Sequence, residues 1–107
     1  MEASSIMKQL PQKSASVALV VQSDVFQRLK MAASLRRGGF EVFEAADANE
    51  AIRVLTSRVV DVLFSDIDLY GEMDGIELVG WVRQHQPNTR VVLTREDRPH
   101  PGRPLSH

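Results

Sequence analysis

The chain is predicted to fold as an α/β domain on a parallel sheet, and three observations carry that reading. Short continuous apolar runs of strand length recur along it: VALVV from Val17, VLF from Val62 and VVL from Val91. Between them the apolar spacing shifts to a period near 3.6 residues, as amphipathic helices require. Helices of that length between apolar strands favour parallel pairing with right-handed crossovers, covered on both faces.

Val17 to Val21 is apolar throughout, as a strand buried on both faces should be, and Gln22, Ser23 and Asp24 give it a polar end. From Val25 onward, Phe26, Leu29, Ala32, Ala33 and Leu35 form the expected buried face of a first helix, with Gln27, Arg28, Lys30, Ser34 and Arg36 opposite. Ser23 or Asp24 can cap its first turn, Arg36 and Arg37 complement the dipole as solvated charges, and Gly38 and Gly39 stop it. Phe40 to Ala45 mixes apolar and acidic residues as an edge strand with one partly wet face, where Glu41 and Glu44 discourage edge aggregation. Asp47 and Glu50 have capping-box spacing, and Ala48, Ala51, Ile52 and Leu55 carry a second helix toward Ser57. Val62, Leu63 and Phe64 make a third strand that ends at Asp66 and is bounded by Gly71 and Gly75. Ile76, Leu78, Val79 and Val82, with Trp81 as a packing residue, make a third helix that Pro87 and Asn88 end. Arg90 to Thr94 is the fourth strand, giving the order β-α-β-α-β-α-β.

Composition bounds the function. With 107 residues and 43% apolar content there is material for one small soluble domain. A formal charge of −1, from 13 basic and 14 acidic side chains, argues against a nucleic-acid footprint. The absence of cysteine excludes disulfides and thiolate metal sites and suits the cytoplasm. No apolar run reaches signal-peptide or membrane-spanning length. Residues 1–16 read as a flexible N-terminal tail, 17–94 as the domain, and 95–107, with Pro99, Pro101 and Pro104, as an irregular C-terminal tail.

Asp66 is the leading functional candidate. Ligands of open α/β sheets bind outside the carboxyl ends of the strands, where Asp66 falls. Asp68, Glu72 and Asp74 add charge that a hard divalent cation such as magnesium can neutralise. The same loop also reads as an acidic, solvated connection without chemistry. Thr94 likewise reads as an ordinary strand threonine and Asp24 as a helix cap. No glycine-rich phosphate loop, cysteine nucleophile or metal-spaced histidine set is present, and His85, His100 and His107 read as surface groups.

Over roughly residues 17–94 these motifs resemble the receiver domain of two-component response regulators. VALVV with Gln22-Ser23-Asp24 sits where that family has its first strand and acidic pair. RRGGFEVFEAADANEAIRVL resembles the first-helix end, second strand and second helix. DIDLYGEMDGIEL resembles the phosphoacceptor loop, and VVLT the fourth strand with its switch threonine. The resemblance implies a flavodoxin-like doubly wound parallel sheet with strand order 2-1-3-4. It implies that Asp66 accepts a phosphoryl group from a histidine kinase or histidine phosphotransfer protein. It also implies a magnesium ion held by Asp66, the main-chain carbonyl of Asp68 and, as a further candidate, Asp24, and a Thr94 hydroxyl that bonds the phosphoryl group.

The departures are equally specific. The family's paired acids align with the neutral Gln22 and Ser23, so magnesium should bind weakly. The family's strand-end lysine has no counterpart, since Lys30 is the last lysine, and Arg95 stands where the family prefers a small residue. Only 13 residues follow Thr94, so the sheet is expected to be truncated to about four strands and three helices. Its Arg90–Thr94 edge is then expected to be uncovered and open to self-association. A phosphorylation-independent interaction module is the alternative function. An enzyme resembling haloacid dehalogenase-like phosphatases, suggested by Asp66-Ile67-Asp68, is a remote one, because the lysine and acidic motifs it needs downstream are missing.

Overall fold

A computed structural model describes residues 15–95, so the expectations for 1–14 and 96–107 lie outside the described residues. Seven elements alternate: β1 (Val17–Val21), α1 (Val25–Arg37), β2 (Glu41–Ala45), α2 (Ala48–Ser57), β3 (Val62–Asp66), α3 (Gly75–His85) and β4 (Arg90–Thr94). The strands form one parallel sheet in the order β2-β1-β3-β4, the doubly wound arrangement expected from the sequence. Its register sets Leu19 beside Phe43 and Leu63, and Leu63 beside Val91.

Alternation along the strands splits the core between two faces. Leu19, Val21, Leu63 and Ala45 meet Ala51 and Leu55 of α2 and Leu78 and Val82 of α3. On the other face Ala18, Val20 and Val42 meet Ala32 of α1, flanked by Met31, Leu35, Phe40 and Phe64. Each fully buried aliphatic side chain contributes roughly 1.5–3 kcal/mol by leaving water. Trp81 packs against the first cluster, as its apolar bulk suggests.

Three details depart from what the sequence predicts. Phe26, Leu29 and Ala33, expected on the buried face of α1, point outward, with Phe26 76% exposed. The helix instead presents Arg28, Met31, Ala32 and Leu35 to the sheet. Arg28 Nη1 donates to the Gln22 carbonyl at 2.9 Å and its Nε lies 3.4 Å from Glu44 Oε1, which fixes the helix in that rotation. Arg36 is likewise engaged and not merely solvated, donating to the Val42 carbonyl at 3.1 Å and lying 3.4 Å from Glu44. Ile76 also faces solvent, and Leu78, Val79 and Val82 form the buried stripe of α3.

At the opposite end of the sheet from the acidic loop, Asp61 joins three strands. Its Oδ2 accepts from Val17 N at 2.7 Å, its own N donates to the Val17 carbonyl at 2.9 Å, and its carbonyl accepts from Arg90 N at 3.0 Å.

Candidate functional site

The carboxyl ends of β1, β3 and β4 form one crest, which the β1–α1 and β3–α3 loops line. Asp66 closes β3 in the middle of the sheet and is only 4% exposed. Its Oδ1 accepts from Asp68 N at 3.2 Å, which turns the chain out of the strand and orients the carboxylate. Ser65, wholly buried beside it, donates its hydroxyl to the Asp66 carbonyl at 3.0 Å. Thr94 lies directly across from Asp66 in the β3–β4 register, and its carbonyl accepts from Ile67 N at 3.0 Å. Asp66 and Thr94 therefore end neighbouring strands at one level, with Arg95 following at the surface.

The loop from Ile67 to Asp74 is anchored at several points. Leu69 is buried in the core, Gly71 takes φ 107°, a conformation that favours glycine, and Gly75 N donates to the Ile67 carbonyl at 3.0 Å. Asp74 and Glu77 form a capping box that opens α3. Gly75 itself is packed on the acceptor backbone. A Cβ there would overlap the Asp66 carbonyl oxygen and sit 2.9 Å from Ile67 Cα. In the sequence Gly75 stands out only as a boundary of the third strand, whereas its constraint is this close approach.

The β1–α1 loop supplies the other wall. Gln22 is 4% exposed, one residue past the paired Val21 and Ser65, and its side-chain oxygen accepts from Asp24 N at 3.2 Å. Ser23 donates its hydroxyl to the Ala46 carbonyl at 2.8 Å and accepts from Tyr70 N at 3.0 Å. Asp24 is the N-cap of α1, its Oδ1 accepting from Gln27 N at 2.9 Å. Among the described residues, no group of three or more His, Cys, Asp or Glu is placed to hold a metal ion. The carboxylate of Asp66 is a hard oxygen donor of the kind magnesium takes, while Gln22 and Ser23 in the β1–α1 loop offer only neutral oxygens.

Comparison with known proteins agrees with this geometry. The family model described as the response regulator receiver domain matches residues 18–100. The DNA-binding transcriptional regulator NtrC of Klebsiella pneumoniae is 31% identical over 77 residues, covering 72% of this chain and 16% of that protein. Response regulator protein FleR of Pseudomonas aeruginosa is 32% identical over 79 residues, covering 74% and 16%. The chain thus spans about one sixth of the length of these curated relatives. Among solved structures, the response regulator TrrA of Thermotoga maritima, in complex with Mg(2+)-BeF, superposes with a TM-score of 0.71 at 25% identity, covering 75% of this chain and 69% of that one. With its sheet order, its strand-end aspartate and these matches taken together, the chain belongs to the response regulator receiver domain family.

Proposed function

We propose that residues 17–94 act as a phosphoacceptor module of a two-component phosphorelay, with Asp66 as the acceptor. The observation that carries this is the placement of Asp66 at the end of the central strand β3, level with Thr94 on β4. A carboxylate oxygen of Asp66 attacks the phosphorus of a phosphohistidine on a kinase or phosphotransfer protein. The P–N bond breaks, the imidazole keeps the electron pair and takes a proton, and an aspartyl phosphate forms. The protein carries this group as a signal and turns over no substrate of its own. Thr94, paired with Asp66 in the strand register, supplies the hydroxyl that bonds the new phosphoryl group and biases the crest toward a second arrangement.

Magnesium is the ion concerned, as the TrrA complex supports, and it associates weakly through Asp66 and the Asp68 carbonyl. Asp24, whose Oδ1 caps α1, is a further candidate ligand. A cytoplasmic location accords with a kinase donor, and no described helix is long and apolar enough to cross a membrane. Incubation with a small acyl phosphate and magnesium should add a hydroxylamine-sensitive phosphate to the intact protein. Asp66→Asn should abolish it; equal labelling of that variant would refute the assignment, and no adduct on the parent would favour the phosphorylation-independent module.

A further inference from the structure

The hydroxyl of Ser23 is the meeting point of three loops that are distant in sequence. Its single proton goes to the Ala46 carbonyl in the β2–α2 loop, at 2.8 Å. One of its lone pairs takes the Tyr70 N–H in the middle of the acceptor loop, at 3.0 Å. The partners lie 23 and 47 residues away, so this one side chain ties the β1 end to both neighbouring connections. The two ends of the acceptor loop are fixed separately, by Asp68 N on Asp66 and by the Asp74–Glu77 capping box. Tyr70, whose ring is exposed, sits between those anchors, next to Gly71 with its positive φ. Its amide is therefore held by Ser23 between those anchors.

We propose that Ser23 is a positioning residue that holds the acceptor loop closed by hydrogen bonding alone, so that the loop is ordered without a divalent cation. Among the described residues no cluster of three or more acidic or imidazole side chains stands ready to hold an ion in this role, and Gln22 and Ser23 are neutral. A neutral hydroxyl meets the need because it both donates and accepts. A carboxylate at the same position only accepts, and would face the Ala46 carbonyl oxygen with no proton between them. Ser23→Asp therefore keeps an acceptor for the Tyr70 N–H but loses the tie to Ala46. The labelling consequence rests on the phosphoacceptor reading of Asp66; the loop-ordering claim does not.

The test is amide hydrogen exchange at Tyr70 in the full chain, with EDTA or with magnesium chloride, alongside the rate of labelling by a small acyl phosphate. In the parent, Tyr70 exchange should be the same in both solutions. Ser23→Ala should speed it about fivefold, the loss of one net hydrogen bond, with Leu63 in the sheet unchanged. Ser23→Thr, which keeps the hydroxyl, should restore both Tyr70 protection and the labelling rate that Ser23→Ala lowers. Unchanged Tyr70 exchange in Ser23→Ala, or slower exchange in the parent on adding magnesium, overturns the proposal. If Tyr70 behaves as stated while Asp66 takes no phosphoryl group, the phosphoacceptor reading fails and the Ser23 tie stands.

Discussion

Replacing Gly75 by alanine tests whether α3 is seated on the acceptor strand as closely as the structure shows. The added Cβ would overlap the Asp66 carbonyl oxygen and lie 2.9 Å from Ile67 Cα and 3.0 Å from the Asp66 carbonyl carbon. All three are backbone atoms, so no flexible side chain can move aside. Relief requires displacing the start of α3 or the end of β3, and forced overpacking of this kind costs about 1–3 kcal/mol. The gain in helix propensity from glycine to alanine, at most about 1 kcal/mol and smaller at a helix's first position, offsets part of it. The net expectation is a destabilisation of roughly 1–2 kcal/mol. Gly80, in the same helix, is the internal control, because a Cβ there meets nothing within 4 Å. Gly80→Ala should stabilise by about 0.5–1 kcal/mol, opposite in sign. Urea unfolding followed by the fluorescence of Trp81, the chain's single tryptophan, reads both. If the two variants shift the midpoint in the same direction, the close approach of Gly75 to Asp66 is wrong.

Three further outcomes are expected. Asp61→Ala removes the acceptor of the Val17 N–H and should cost about 1–2 kcal/mol by leaving a part-buried donor unmet, with Asp61→Asn less harmful; an unaltered urea midpoint in Asp61→Ala would count against it. Gln22→Asp combined with Ser23→Asp should strengthen magnesium binding severalfold or more by adding carboxylate charge, and equal affinities in a titration would contradict the weak-site reading. Among the described residues β4 is an edge strand, with Val92 and Leu93 42% and 41% exposed, so the chain should self-associate and Leu93→Lys should shift it toward monomer. A monomer at all concentrations in sedimentation, with strong amide protection across residues 90–94, would refute that.

The order of elements is legible in the sequence because strands and helices here carry local signals. VALVV and VVLT read as strands, and Asp47 caps the helix that follows it. The position of Asp66 follows from the same local pattern. The rotation of α1 does not, because its apolar residues form two adjacent stripes. Which stripe meets the sheet is decided by Arg28 reaching Gln22 and Glu44, contacts that helical periodicity does not encode. Ser23 illustrates a similar limit. A serine after a strand reads as a helix cap, and its bonds to Ala46 and Tyr70 arise only when three loops are brought together. Asp24, one residue on, takes the capping role. For Gly75, the composition of the loop suggests a turn, while the constraint is tertiary contact with the backbone of Asp66.

The central claim is that Asp66 is the residue that carries the phosphoryl group, and locating the adduct tests it most directly. After labelling with an acyl phosphate and magnesium, borohydride reduction converts an aspartyl phosphate to homoserine, which peptide mass spectrometry places at single-residue resolution. The account predicts homoserine at position 66, none in unlabelled protein, and none anywhere in Asp66→Asn. Homoserine at position 24, 68 or 74, or its absence from labelled protein, would contradict it.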